Sequence, residues 1–279
     1  MPQFPKNIFQ VWFQGCENVS RPEFVENMKA WATLNPTWKH ICTSDAELRK
    51  ACRQFSQECL EIYDSLPVMH MKIDLGRYVL IYLHGGMYID MDAYAFRSLD
   101  YSKHIQKAIR VYEQEEKHVI AISEANVDRM ESYFSGVYFN NAFMMSSPRN
   151  PVTKRFIERI LTNCKKSAHV GGNPTLAVQK TTGPVSFTNF FMEYVNHPSE
   201  LSEVIVFPHS VFEPCDIGEI CRPNEESIAL HQFELSWVQD KWLVIPKIYY
   251  KYIRNNIVIA GLLMLLSSLC AYFKIYRKR

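Results

Sequence analysis

The order of apolar and polar residues in the first part of the chain predicts alternating strands and helices. Residues 6–12 (KNIFQVW) and 38–42 are short, largely apolar segments typical of buried strands. A helix is predicted to begin at Pro22, because proline suits the first helical turn. Ser44 and Glu47 have the spacing of a capping box, which predicts the start of a second helix.

A longer amphipathic segment, residues 68–83, leads to a pair of carboxylates. Its apolar residues recur at helical spacing, and the glycine pair that follows predicts the end of the helix. Residues 87–90 then form a short strand that runs into Asp90 and Asp92. Side chains two positions apart on a regular strand point the same way, so the two carboxylates are expected to converge.

The same alternation continues to about residue 230. Strands are predicted at 118–123, 137–146, 204–207 and 228–230, and helices at 151–166 and 184–194. This order predicts an α/β fold with a mostly parallel sheet and helices on both faces. Ligands of such sheets bind at the carboxyl ends of strands, where Asp90 and Asp92 are expected.

The end of the chain has a different character. Residues 257–273 (IVIAGLLMLLSSLCAYF) carry no charge and predict a single membrane-spanning helix. Tyrosines and basic residues flank this segment, as is typical near a membrane interface, and a buried core helix is the alternative. The predicted organisation is a folded domain at 1–253, the membrane helix at 257–273 and a basic tail at 274–279.

Charge and cysteine content narrow the possible partners and compartments. The formal net charge is +2, which gives no indication of nucleic acid as a partner. The eight cysteines include no CxxC pair and are interpreted as free thiols, which favours a cytosolic domain. A lumenal domain with one or two disulfides is the alternative. No signal peptide is recognised at the N-terminus.

Four polar residues in the centre of the chain suggest a phosphate-binding chemistry. Asp74 and Arg77 lie three apart on the predicted helix and so share a face, and Asp90 and Asp92 follow the next strand. Carboxylate oxygens bind hard divalent cations, and a guanidinium forms a planar fork suited to phosphate oxygens. Isolated DxD pairs are common on surfaces, so the whole block carries the hypothesis. The chain contains neither GxxxxGK[ST] nor GxGxxG.

With these residues in place, the sequence resembles the DxD-containing family 32 glycosyltransferases. This group includes the fungal initiating α-1,6-mannosyltransferase and the inositol-phosphoceramide mannosyltransferases, and it is distantly similar to the clostridial glucosylating toxin domain. Five motifs occur in the family's order: PKNIFQVW at 5–12, DLGRYVLIYLHGGMYIDMD at 74–92, NNAF at 140–143 followed by SPRNP at 147–151, TGP at 182–184, and HQFELSW at 231–237.

The resemblance implies a GT-A-type, Rossmann-like catalytic domain that transfers a hexose with retention, giving an α-glycoside. It implies a divalent metal, Mn²⁺ favoured over Mg²⁺, and a nucleotide-sugar donor, GDP-mannose favoured over a UDP-sugar. The acceptor is expected to be a glycan, lipid or protein. The implied metal-binding residues are Asp90, Asp92 and His231; the catalytic residues are Asp90, Asp92 and Asn141; the donor-binding residues are Trp12, Asp74, Arg77, Tyr88, Asp90, Ser236 and Trp237.

Several alternatives stay open at the level of the sequence. Trp12 is also compatible with a core position, Asn141 with a turn, and His231 with a buried structural histidine. A membrane-anchored, transferase-like binding protein without turnover is the second functional hypothesis. A metal-dependent enzyme acting on phosphate esters is a third, but it needs more carboxylate or histidine ligands than one DxD supplies.

Overall fold

A computed structural model describes residues 2–125, 138–167, 174–196, 202–214 and 223–232. The chain divides into two units, Met1–Trp237 and Val238–Arg279. The second unit lies outside the described residues, as does the predicted membrane helix at 257–273. Among the described residues, no helix combines the length and apolar character needed to cross a bilayer.

Strands and helices alternate in the order that the hydrophobic pattern predicts. The described strands are β1 (Asn7–Val11), β2 (Lys39–Thr43), β3 (Gly86–Ile89), β4 (Ala93–Ala95), β5 (His118–Glu124), β6 (Phe139–Ser146), β7 (Ser202–Phe207) and β8 (Ala229–His231). The described α-helices are α1 (Pro22–Leu34), α2 (Asp45–Phe55), α3 (Gln57–Ser65), α4 (Met69–His84), α5 (Lys103–Gln114), α6 (Pro151–Ser167), α7 (Pro174–Thr181), α8 (Pro184–Asn196) and α9 (His209–Phe212).

Six strands form the central sheet, in the order β2-β1-β3-β6-β5-β7. The pairs β1–β2, β1–β3 and β5–β7 are parallel, whereas β6 runs antiparallel to both of its neighbours. The predicted α/β class with a mostly parallel sheet is confirmed, but the sheet is mixed. Strands β4 and β8 form a separate antiparallel pair.

Helices cover both faces of the sheet, and α4 is the most deeply buried of those that position the site. Eleven of its sixteen residues are buried, and they include two charged residues, Asp74 and Arg77. The predicted capping box of α2 is present, with the Glu47 carboxylate accepting from the backbone N–H of Ser44 at 2.7 Å. Apolar core residues pack against α4 on nearly every side, and this packing holds the helix in place next to β3.

The glycine pair between α4 and β3 lets the helix turn sharply into the sheet. Gly85 and Gly86 have φ values of 66° and 116°, which favour glycine. A Cβ at Gly86 would lie 2.5 Å from the backbone oxygen of Asn7. The close approach allows β3 to pair with β1 directly after the helix, so the carboxylates follow at the sheet edge.

The cysteine interpretation needs a correction. Cys16 and Cys42 form a disulfide with a Cα–Cα distance of 6.0 Å. Cys52, Cys59 and Cys164 are free thiols. The pairing arises because β1 and β2 run parallel and the chain folds back after β1 toward the end of β2. This finding supports the alternative of a disulfide-containing domain for the described part of the chain.

Candidate functional site

The polar residues of interest gather at one edge of the central sheet. Because β1 and β3 are parallel, their carboxyl ends meet there, and Trp12 and Asp90 follow those ends directly. Strand β6 runs the other way, so its first residues, Asn140 and Asn141, lie at the same edge. The side-chain amide of Gln10 donates to the backbone oxygen of Asp90 at 3.3 Å and ties β1 to this edge.

Three side chains at this edge have the arrangement of a cation site. Ligand atoms of Asp90, Asp92 and His231 all lie within 4.8 Å of one another. His231 Nε2 is 3.2 Å from Asp92 Oδ1 and 4.0 Å from Asp90 Oδ2. The predicted convergence of the two carboxylates is therefore present, although its cause differs from the prediction. Strand β3 ends at Ile89, and the carboxylates are brought together in the turn that follows.

His231 reaches the carboxylates through the small sheet. Ala93 of β4 pairs with His231 of β8, and the backbone N–H of Gln232 donates to the backbone oxygen of Asp92 at 2.9 Å. Strand β4 follows the turn that holds Asp90 and Asp92, and its pairing with β8 places His231 next to this turn. His231 lies 139 positions after Asp92 in the sequence. Its buried position inside a polar cluster is compatible both with a metal ligand and with the alternative of a buried structural histidine.

Polar groups also surround the far side of the His231 ring. Its Nδ1 lies 3.5 Å from Glu213 Oε1 and 3.2 Å from the Asn140 amide nitrogen. Burial opposes the charged form of the imidazole, but the carboxylates of Asp92 and Glu213 outweigh it and raise the pKa of His231 well above its ordinary value. The cluster therefore carries an excess of negative charge that favours a cation.

A second polar group lies on the buried face of α4. Asp74 Oδ1 is 3.2 Å from Arg77 Nη2 and accepts from the Asn141 amide at 3.1 Å. Its other oxygen accepts from the Thr182 hydroxyl at 2.9 Å. Burial raises the pKa of the Asp74 carboxyl to about 6, although these partners favour its ionised form.

Arg77 joins this buried group to the carboxylate pair. Its Nη1 is 3.1 Å from Asp90 Oδ1, and its guanidinium lies over the Tyr88 ring at 4.3 Å. The Tyr88 hydroxyl donates to the same Asp90 oxygen at 2.6 Å. Nε of Arg77 is buried and has no hydrogen-bond partner among the described residues. A buried N–H without a partner is costly, so an oxygen acceptor that reached this donor would stabilise it.

Two predicted residues are placed in ways that the sequence left open. Trp12 is half-buried, donates from its indole to the Asn18 backbone oxygen at 3.2 Å and packs edge-on against Phe24. Asn141 is buried on β6, where its amide donates to Asp74 and to the Tyr78 hydroxyl. Neither the core position for Trp12 nor the turn for Asn141 is correct. Ser236 and Trp237 lie outside the described residues.

Two further residues belong to the site although no motif in the sequence predicted a role for them. Asn140 donates to the Glu213 carboxylate, and both lie against His231. Asn140 lies in the NNAF motif, for which the resemblance implies a role only at the neighbouring Asn141. Glu213 follows a short helix and carries no recognisable motif, so only its burial in the fold identifies it.

A cation and a phosphate group would find complementary partners side by side in this arrangement. Two carboxylates and one imidazole suit a divalent ion such as Mn²⁺. The neighbouring guanidinium presents an unpaired N–H within the same network. Asp90 contacts both parts, so a group that binds the ion would also be within reach of Arg77.

Comparisons with known proteins agree with the resemblance read from the motifs. A family described as "Glycosyltransferase sugar-binding region containing DXD motif" matches residues 22–125. The initiation-specific alpha-1,6-mannosyltransferase of Candida albicans is 24% identical, over 85% of this chain and 73% of its own length. A putative glycosyltransferase of Saccharomyces cerevisiae is 23% identical, over 75% of this chain and 59% of its own length.

The solved structure of the PaToxG glycosyltransferase has a TM-score of 0.42 and 16% identity, over 70% of this chain and 71% of that one. The sequence relatives and the family match confirm that the enzyme class predicted from the motifs is correct.

Proposed function

We propose that this chain, which is a glycosyltransferase of the DXD-containing family, transfers a hexose from a nucleotide-sugar donor in a metal-dependent reaction. The observation that carries the proposal is that Asp90 contacts two different groups, the candidate metal ligands and Arg77. This carboxylate belongs to the Asp90, Asp92 and His231 cluster and also pairs with Arg77, whose buried Nε has no described partner. A cation and a diphosphate thus fit together at one place, in a GT-A-type arrangement.

In this proposal Asp90, Asp92 and His231 hold the metal, with Mn²⁺ favoured over Mg²⁺ because one ligand is an imidazole. When bound, the ion neutralises the charge that develops on the departing diphosphate. Arg77 donates from Nε to a phosphate or sugar oxygen. Asp74 holds the guanidinium in this orientation through their ion pair, and Tyr88 orients Asp90 through its hydroxyl.

The remaining predicted residues complete the donor site. Trp12 lies at the same sheet edge and offers a half-buried aromatic surface to the donor base. Ser236 and Trp237 are proposed to close over the diphosphate, which would exclude water and limit hydrolysis of the donor. Asn141 contributes to catalysis by bonding Asp74, while Arg77 donates to the Asn141 backbone oxygen at 3.0 Å.

We propose that the transfer retains the configuration of the sugar. The acceptor oxygen bonds to the anomeric carbon on the face from which the diphosphate leaves, and the acceptor proton passes to the leaving phosphate oxygen. The chain's part is electrostatic: Arg77 and the ligand cluster stabilise charge on the leaving group. This path requires no carboxylate nucleophile, and the proposal assigns that role to none of the described residues.

Mannose is the favoured sugar, and GDP-mannose the favoured donor, because relatives of this chain bear the name mannosyltransferase. A UDP-sugar is the alternative donor. A panel of nucleotide sugars with Mn²⁺, scored for nucleotide release with and without glycan, lipid and protein acceptors, tests this choice. Formation of an α-mannoside from GDP-mannose is the expected result. Tight donor binding with no product under any condition would favour the binding protein without turnover.

We further propose that the domain is attached to a membrane by residues 257–273 and faces an oxidising compartment. The disulfide between Cys16 and Cys42 supports this orientation over the cytosolic one expected from the cysteines alone. The test is to alkylate free thiols in intact membranes before reduction and then map peptides. A linked Cys16–Cys42 peptide is expected, and alkylation of both cysteines in most molecules would favour a cytosolic domain.

A further inference from the structure

Glu213 is a carboxylate buried beside the proposed metal cluster without being one of its ligands. It lies at the end of α9 with 1% of its surface exposed. Its Oε1 faces His231 Nδ1 at 3.5 Å, while His231 Nε2 faces Asp92 on the opposite side of the ring. An ionised carboxylate is rarely buried without a partner, and the partners of Glu213 include His231 and Asn140.

A histidine binds a cation only as the neutral imidazole, so one of the two ring protons of His231 must leave, and two states are then open to the ring. If Nδ1 lacks a proton, it accepts from the Asn140 amide at 3.2 Å, and Nε2 then carries the proton toward Asp92. In that state Nε2 has no lone pair for a cation. If Nδ1 carries the proton, it donates to Glu213, and the Nε2 lone pair points toward the two carboxylates.

Glu213 favours the second state. Both ring nitrogens face a carboxylate, Asp92 on the Nε2 side and Glu213 on the Nδ1 side. A cation bound by Asp92 and Nε2 leaves no place for a proton on Nε2, so the remaining N–H is then directed at Glu213, a charged and therefore strong acceptor. Asn140 cannot simply rotate its amide to compete, because its oxygen already accepts from the Ala142 backbone N–H at 2.8 Å. Its nitrogen donates to Glu213 and so holds the carboxylate in place. Carboxylates that orient metal-binding histidines in this way strengthen binding of the ion.

We propose that Glu213 is a positioning residue that fixes the His231 ring with Nε2 directed at the cation site, and that Asn140 holds Glu213 in place. The inference rests on the proposed metal-dependent function and adds to it the group that makes His231 a ligand. It assigns a purpose to a buried charge that neither the DxD motif nor the donor-binding residues explain.

Titration of the full chain with Mn²⁺ alone, followed by the electron paramagnetic resonance signal of the free ion, tests the proposal. Glu213→Leu is expected to raise the Mn²⁺ Kd by roughly 100-fold and Glu213→Gln by roughly 10-fold. Loss of a group that orients a metal-binding histidine typically weakens binding of the ion by roughly 10- to 100-fold. Glu113→Gln is the matched control, because this carboxylate accepts from the Phe4 backbone N–H at 2.9 Å, away from the cluster. It should leave Kd unchanged.

The outcomes separate this inference from the proposed function. If the wild type binds Mn²⁺, Asp92→Ala does not, and both Glu213 variants bind as the wild type does, Glu213 has no positioning role although the metal site stands. If the wild type itself fails to bind the ion, both proposals are wrong.

A measurement on the wild type does not depend on how the variants fold. In the Mg²⁺-loaded chain, ¹⁵N spectra of the histidine rings are expected to show the His231 proton on Nδ1. A proton on Nε2 would overturn the inference directly. Thermal unfolding of Glu213→Gln without metal gives the structural contribution of the carboxylate separately, since a purely structural residue would lower stability and leave the Mn²⁺ Kd unchanged.

Discussion

The two parts of the site, each built around carboxylates, have opposite surroundings. Asp74 on α4 is buried, and its two oxygens are occupied by Arg77, Asn141 and Thr182. Asp90 and Asp92 lie in a turn, with 26% and 14% of their side chains exposed. One carboxylate is buried and has three protein partners, whereas the other two are partly exposed to solvent.

This difference indicates that Asp74 has a different function from the pair Asp90 and Asp92. A buried carboxylate with three protein partners is held in one orientation, so Asp74 is expected to hold Arg77 in place. A pair of carboxylates beside an imidazole, partly open to solvent, can exchange its present contacts for an ion. The fold therefore holds Asp74 firmly and leaves Asp90 and Asp92 open to an ion. Arg77 contacts both Asp74 and Asp90, so the position of Asp74 determines where the guanidinium meets Asp90.

The largest effect is expected from removing a ligand of the open part. Asp92→Ala should lower sugar transfer by roughly 10³-fold, since a bound ion contributes several kcal/mol to the stabilisation of the transition state. The melting temperature should stay close to that of the wild type, because negative charges crowd this cluster. Initial rates with saturating Mn²⁺ measure it, with Asp64→Ala as control, since Asp64 pairs with Arg49 on the surface. Equal rates for Asp92→Ala and the wild type would refute the metal site.

The next effect concerns the residue that joins the two parts. Arg77→Met should reduce the free energy of unfolding by about 3 kcal/mol, because Asp74 is left buried without its guanidinium. Arg77→Lys keeps the charge but loses the planar fork, and transfer should fall by roughly 100-fold. Urea unfolding and initial rates measure the two changes. Arg49→Met, which removes an exposed ion pair, is the control and should change stability little. A wild-type rate for Arg77→Lys would contradict a role on phosphate.

A pH effect on stability is expected from the buried carboxyl group of Asp74. Since burial raises the pKa of Asp74 to about 6, the folded chain holds this proton more tightly than the unfolded chain does. The contribution of Asp74 to stability is therefore most favourable below about pH 4 and declines as pH rises toward 6. Asp74→Asn should remove this decline, so that the stability of the wild type relative to the variant falls by up to about 3 kcal/mol across the interval. Unfolding at a series of pH values measures it, and a constant difference would contradict the buried, raised carboxyl.

The smallest effect is expected away from both parts. Glu47→Ala removes the reciprocal capping bond at the start of α2 and should lower stability by about 1 kcal/mol. Transfer should not change, because the cap does not contact the site. If Glu47→Ala lowered the transfer rate as well as the stability, the cap of α2 would not be independent of the site.

Local pattern was sufficient for most elements that build the site. The strands before Trp12 and Asp90, the helix that carries Asp74 and Arg77, and the cap at Ser44 follow from spacing and turn residues within about 15 positions. Helices α3, α5, α7 and α9 were not predicted. The signal for α5 was present, since Ser102 caps it and buried residues recur at helical spacing.

Other features could not be read locally. An apolar strand has no direction in its pattern, so the antiparallel placement of β6 was missed. Cysteine spacing does not indicate pairing, so Cys16–Cys42 followed only from the parallel contact of β1 with β2. Glu213 carries no motif, and its role became visible only beside His231.

The sequence alone determined the positions of the two carboxylates and of the arginine before them, because these depend on residue type and short spacing, and its resemblance to a known family indicated the enzyme class. The tertiary structure decided which groups meet: His231 with Asp92, Thr182 with Asp74, and Glu213 with His231. Such contacts span about 20 to 140 positions and arise from strand pairing and burial, which act between distant segments and leave no mark in the local order of residues.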